Sequence, residues 1–177
     1  MRFDPEQPDK LTPIDAMVGL RAATAETSDH KVYCVERDQL WAFDTINETA
    51  AELGAAAVAS QDYTASIDID AKTQRYLYYV PGAHGGAQED NSPLVQYDVQ
   101  TNKRKVIAFL HGYLFARHGY TPMGTYSTAV SPEGDKVYIT WNGNRGGADT
   151  SNPKNPKLKF NTCALTVVHV PAAERMP

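Results

Sequence analysis

Three short runs of β-branched and aromatic residues recur along the chain: Val32-Tyr33-Cys34-Val35, Leu77-Tyr78-Tyr79-Val80 and Val137-Tyr138-Ile139-Thr140. That composition suits a pleated surface packed on at least one side. Each run follows a polar turn, namely Thr27 to Lys31, Asp70 to Gln74 and Ser131 to Asp135. Each turn in turn follows another strand-like stretch: Leu20 to Ala25, Tyr63 to Ile69 and Thr125 to Val130. A third strand comes after each core, in Leu40 to Asp44, Leu94 to Asp98 and Ala164 to Val168. Arg104 to Phe109 supplies a fourth strand in the second unit, and Thr49 to Leu53 supplies one in the first.

The pattern predicts a repeat of strand, tight turn, strand, loop, strand, turn, strand. Val32, Leu77 and Val137 mark its equivalent positions, 45 and then 60 residues apart. A four-stranded propeller blade takes about 40 to 50 residues, so the second interval is one blade with longer loops. No long amphipathic helix separates the strands, which weighs against a parallel α/β sheet. Two stretches compete with this reading. Thr12-Pro13-Ile14-Asp15 has the chemistry of a helix start, and Glu48 to Ala59 is rich in alanine, the best helix former. The repeat places strand and loop in both, and tertiary context is expected to override propensity there.

Ser131-Pro132-Glu133-Gly134-Asp135-Lys136-Val137-Tyr138-Ile139 resembles the Ser-Pro-Asp-Gly-x-x-Val/Leu-Tyr-Val element of bacterial propeller repeats, of the TolB-like, YVTN and WD40-like kinds. Gln96-Tyr97-Asp98-Val99-Gln100-Thr101-Asn102-Lys103 is similar to the Tyr-Asp-Val-x-Thr-Gly-Lys element that follows it in such blades. Glu133 stands for the usual Asp and Asn102 for the usual Gly, and both keep the turn chemistry, Asn being tolerant of positive φ. The first unit matches only at Trp41-Ala42-Phe43-Asp44-Thr45. The resemblance implies an all-β fold, a β-propeller-like arc of about three four-stranded antiparallel blades, and it carries no catalytic residue.

Three blades do not close a ring, since propellers use about four to eight. The expectation is therefore a fragment of a larger six- to eight-bladed propeller, its C-terminal blades. In that division residues 1–19 are an extension or a strand of a preceding blade, and 20–54 are the first blade. Residues 55–110 are the second blade, and 111–177 the third, lacking its outer strand. Missing blades or an oligomer would complete the ring, because an open arc exposes apolar faces and strand edges.

Composition narrows the partners. Hydrophobic residues make 42% of the 177 and the formal net charge is −4, so the chain can bury a core and has no basic run for nucleic acid. No apolar stretch approaches the roughly 18 residues of a membrane helix. Met1 to Lys10 does not read as a secretory signal, and a periplasmic or secreted location is expected only if the full-length protein carries one. Cys34 and Cys163 make no disulfide framework and no structural zinc site, and both read as small buried hydrophobes. Trp41 and Trp141 are expected to pack between blades.

Loop lengths sort by face. The short turns Asp70 to Gln74, Ser131 to Asp135 and Gln100 to Lys103 belong to one side of the disc. The long segments Pro81 to Pro93, Leu110 to Gly124 and Trp141 to Thr162 belong to the other, where binding groups are expected. Those segments hold His84, His111, Arg117, His118, Tyr120, Asn142, Asn144 and Arg145, the candidate ligand-binding residues. Arg117 and Arg145 suit a carboxylate or phosphate, and the neighbouring aromatics Tyr113, Phe115 and Tyr120 suit a ring. His84, His111 and His118, near Glu89, Asp90 and Asp149, are candidate ligands for a divalent metal, although no metal motif such as His-Glu-x-x-His is present. No phosphate loop or nucleophile elbow occurs.

The reading is thus a propeller repeat module that binds a small polar ligand or a protein partner on its long-loop face, with no catalytic signature. One alternative is a metal-assisted lyase or hydrolase acting on a carbohydrate or similar polar substrate, with Arg145 stabilising negative charge. Another is a structural scaffold for oligomerisation.

Overall fold

The computed structural model describes residues 1–14, 21–56, 58, 60, 63–82, 87–146 and 160–175. A small hairpin, β1 (Arg2–Phe3) with β2 (Leu11–Thr12), precedes three larger antiparallel sheets. The first is formed by β3 (Ala22–Ala23), β4 (Lys31–Glu36), β5 (Gln39–Asp44) and β6 (Thr49–Ala55). The second holds β7 (Thr64–Ile69), β8 (Tyr76–Pro81), β9 (Pro93–Asp98) and β10 (Lys103–Phe109). The third holds β11 (Tyr120–Val130), β12 (Lys136–Arg145) and β13 (Thr162–His169). Within each sheet the spatial order is the chain order, so each is a meander.

The all-β expectation holds, and so does the strand at the alanine-rich stretch, where Thr49–Ala55 pairs with β5. The residues 15–20 that follow Thr12-Pro13-Ile14 lie outside the described residues.

Packing follows from the two-residue period of a strand. β8 is buried along its whole length. Its Leu77 and Tyr79 join Tyr33, Val35 and Leu40 of the first sheet in one apolar cluster. Its Tyr76, Tyr78 and Val80 join Val137, Ile139 and Trp141 of the third sheet in another. Each such side chain, taken out of water, contributes about 1.5 to 3 kcal/mol. Val32, Leu77 and Val137 are each the second residue of the second strand of their sheet, as the repeat requires. Leu77 and Val137 both pack toward the preceding sheet.

Hydroxyls fix how the sheets sit on one another. Tyr79 Oη donates to the Ala56 carbonyl at 2.7 Å and Tyr97 Oη to that of Leu53 at 3.0 Å, tying the second sheet to the end of the first. The polar turns meet at one end of the stack. Ser28 Oγ donates to Gln74 at 2.7 Å, and Lys72 Nζ pairs with Glu133 at 2.6 Å. Trp141, fully buried, packs in the cluster between the second and third sheets and donates from Nε1 to Thr166 Oγ1 at 2.9 Å. Trp41 pairs with Cys34 on the face of the first sheet opposite Leu40, which belongs to the cluster shared with the second sheet.

The largest departure is at Leu110 to Gly124, expected as a long loop. It is a helix, α1 (Leu110–His118), running into β11. Leu110 and Leu114, one turn apart, are both buried, while Arg117 and His118 stand at the C-terminal end where cations suit the helix dipole. Gly119 closes the helix at φ 59°, donating its N–H to the carbonyls of Leu114 and Phe115. At the other end Leu110 N–H bonds to Ser92 O and His111 N–H to Asn91 O, at 3.2 and 3.1 Å. Asn91 and Ser92 hold positive φ of 68° and 49°. The backbone of that left-handed pair therefore supplies the helix start with acceptors, in place of a side-chain cap.

Candidate functional site

Three strands converge where α1 ends: the first residue of β11, the last of β12, and the start of β13. Gly146 N–H reaches Gly119 O at 3.3 Å, tying the end of β12 to the helix cap. Asn161 clamps Arg145 on both sides, its Oδ1 accepting Arg145 N–H at 2.9 Å and its Nδ2 donating to Arg145 O at 3.1 Å. Tyr120 lies opposite Arg145 in the β11–β12 ladder, and its Oη donates to Thr162 O at 3.1 Å. That bond depends on Gly143, where a Cβ would collide with the Tyr120 hydroxyl and the Thr121 carbonyl. Burial, with a smaller contribution from Cys163, pushes the Tyr120 phenol up to about 12, so it is a neutral donor at physiological pH.

Tyr120, Arg145, Thr162 and Cys163 border a cavity of about 400 Å³, within the range of small-ligand sites. Leu114 and His118 line it from α1, Tyr120 and Arg145 from the start of β11 and the end of β12, and Thr162 through Thr166 from β13. No carboxylate is among these lining residues. Arg145 presents a fork of N–H donors, His118 an imidazole, and Leu114, Ala164 and Leu165 an apolar wall.

Of the candidate residues, His118, Tyr120 and Arg145 are brought together at this cavity. The others are not. His111 stands edge-on to Phe115, ring centres 6.0 Å apart, and Arg117 lies over Tyr113 at 5.4 Å. Asn142 donates to Tyr126 Oη at 3.3 Å on the outer face of the third sheet, and Asn144 is buried within β12. Asn142, Asn144 and Arg145 are strand residues, because β12 continues to Arg145, and not loop residues as expected. His84 and Asp149 lie outside the described residues.

As to a metal, His111 and His118 are two turns apart on one helix, about 10 Å along its axis, too far to share one ion. Among the described residues no three of His, Cys, Asp and Glu stand together as a ligand set.

Cys163 corrects an expectation. It is exposed and borders the cavity, because its face of the third sheet has no sheet against it among the described residues. Cys34 fits the buried reading: burial, then the nearby Glu36, pushes its thiol up to about 11. Sequence reasoning also missed Leu114 and the run Thr162 to Thr166. The 3.6-residue spacing of Leu110 and Leu114 was the available signal for the helix that carries the first.

No protein-family model matches the chain, and no curated protein matches it in sequence. Solved structures do match in fold. The chain is similar to a structure in a nidogen–laminin complex (TM-score 0.54, 10% identity), covering 85% of this chain and 44% of that one. It is similar to oligogalacturonate lyase from Vibrio parahaemolyticus (TM-score 0.54, 17% identity), covering 89% of this chain and 39% of that one. Tricorn protease matches 84% of this chain with 13% of its own length (TM-score 0.50, 10% identity). The chain spans less than half the length of each. These are propeller-type folds, and the stack of antiparallel meanders defines this chain as a β-propeller module.

Proposed function

We propose that this module binds a carboxylate-bearing ligand in the cleft between α1 and β13. One observation carries the reading: Arg145, His118 and Tyr120, distant in sequence from the β13 wall, converge on a cavity that no acidic group lines among the described residues. A guanidinium forks onto a carboxylate through two parallel N–H bonds, and the imidazole beside it supplies a further donor. The apolar wall of Leu114, Ala164 and Leu165 takes the aliphatic part of the ligand. The Ser-Pro-Glu-Gly and Tyr-Asp-Val elements support placing the blades among TolB-like, YVTN or WD40-like repeats, whose long-loop face is the place for such a site.

The test is a titration of the whole chain with acetate, succinate and galacturonate, followed by the NMR shifts of His118 and the Arg145 amide. Saturable shifts are expected for at least one of the three, with affinity falling about tenfold or more in Arg145→Gln. Absence of any saturable shift, or an affinity unchanged by Arg145→Gln, overturns the reading.

A further inference from the structure

Five consecutive residues of β13, Thr162 to Thr166, line the cleft, although successive side chains of a strand point to opposite faces. A cavity bordered by every residue in a row runs along the edge of the strand. That edge is unpaired: among the described residues β13 pairs with β12 alone, on its other side, whereas the first two sheets carry a fourth strand, β6 and β10, in the same place.

The register says which groups point outward. Val170 N–H bonds to Asp135 O at 2.9 Å, and the pairing runs without a shift from Lys136 opposite His169 to Gly143 opposite Thr162. In an antiparallel ladder the bonded positions alternate. Cys163, Leu165, Val167 and His169 therefore direct their N–H and C=O groups away from β12.

Exposed edges are ordinarily guarded by charge, proline or a bulge. β10 carries Lys103, Arg104 and Lys105 and a register shift at Val106 to Ala108. β6 carries Glu52 and Gly54 and a register shift of its own. β13 has none of these: Thr162–His169 holds no lysine, arginine, acid, proline or glycine, and its ladder is regular. Beside the edge, Leu165 is 62% and Val167 43% exposed.

Direction then selects the partner. A fourth strand continuing the meander lies antiparallel to β13, so its C-terminal end falls at Thr162–Thr166, where Arg145 and His118 stand. We propose that β13 is a strand-acceptor edge, taking an extended segment of a separate polypeptide antiparallel to Cys163–His169 with its C-terminal carboxylate on Arg145. This rests on the carboxylate site above and names its ligand as the end of a peptide chain. Main-chain bonds supply the affinity in such additions, and the carboxylate sets the register.

The test measures fluorescence anisotropy of the whole chain with an N-terminally labelled heptapeptide of alternating Thr and Val ending in a free carboxylate. Four companions accompany it: the C-terminal amide, two peptides N-methylated on alternate residues of one parity or the other, and Val167→Pro protein. Saturable binding is expected, about tenfold weaker for the amide. N-methylation of one parity is expected to abolish it and of the other to spare it, because only one set of amides faces β13. Val167→Pro removes an outward N–H at an edge position that tolerates proline and is expected to abolish binding. If that variant does not fold, the two N-methylated peptides on the unaltered chain decide. Equal binding of both N-methylated peptides, or none of the parent peptide, overturns the inference. So does a dimer in light scattering that dissociates in Val167→Pro, since the edge is then taken by a second copy. Should acetate, succinate or galacturonate bind while the peptide does not, only this inference falls; if none of the four binds, the carboxylate site falls as well.

Discussion

Asp68 accepts the backbone N–H of Val130 on its Oδ2 at 2.7 Å, so a side chain of β7 completes the edge of β11 in the next sheet. Ser66 does the same two residues earlier, its Oγ accepting Thr128 N–H at 2.8 Å. The first strands of the second and third sheets are thus joined without forming a ladder. Asp68→Ala is expected to destabilise the fold by about 1 to 3 kcal/mol, the cost of a hydrogen bond to a charged group. Asp68→Asn retains an acceptor oxygen and is expected to lose less. Urea unfolding of the two variants checks the order; equal losses would mean that charge, and not the acceptor, holds Val130.

Gly134 and Gly146 both have positive φ, 70° and 102°, yet differ in surroundings. A Cβ at Gly134 would lie 2.5 Å from Asp70 Oδ1, while one at Gly146 meets nothing within 4 Å. Asp70 is held in place by Lys72 N–H at 2.9 Å and Thr73 Oγ1 at 2.6 Å, so it cannot swing aside cheaply. Gly146→Ala is expected to cost roughly 1 kcal/mol of backbone strain, and Gly134→Ala roughly 2 kcal/mol more. Thermal melts of both variants test the difference.

Acid is expected to unfold the protein below about pH 4. Arg75 grips Asp98 through two bonds, 3.0 and 2.7 Å, and holds its carboxyl near 2. Lys136, with Ser131, does the same for Asp135, also to about 2, and Lys31 lowers Asp44 further. A carboxyl lowered by folding stabilises the native state above its unfolded value near 3.8, and that contribution is lost as pH falls toward the folded value. In Asp98→Asn the slope of stability against pH between about 4 and 2 should be shallower, because one of the three groups no longer titrates. An unchanged slope would remove Asp98 from the account.

Alkali acts through the buried phenols. Burial raises Tyr78 and Tyr120 to about 12 and Tyr79 further, against an ordinary value of 10.0. Groups raised by folding stabilise below their unfolded value and cease to as pH rises through the folded one. Ultraviolet titration is expected to show these three ionising late and together with loss of near-ultraviolet circular dichroism. Their ionisation near pH 10 in the folded protein would contradict the burial that both apolar clusters require.

The strands were legible wherever the chain alternates or concentrates β-branched and aromatic residues, because burial of one or both faces dictates the composition. Val32, Leu77 and Val137 occupy equivalent places for that reason. The helix at Leu110–His118 was not, since Gly112 and four aromatic or histidine side chains make it a poor helix by propensity. Its stability comes from burial of Leu110 and Leu114 and from the acceptors of Asn91 and Ser92, contacts between distant segments. His118, Tyr120 and Arg145 could be singled out by residue type, but not their meeting with Thr162–Thr166. That meeting depends on where α1 comes to rest and on which edge of the third sheet is left open, and neither leaves a local trace in sequence.

Because β8 spends its odd-numbered residues on one neighbour and its even-numbered ones on the other, the middle sheet has no surface of its own to shed. Its amide protons can reach solvent only when both flanking contacts open at once. Deuterium should therefore enter Tyr76–Pro81 last of all, and the chain should come apart there in a single event, not sheet by sheet.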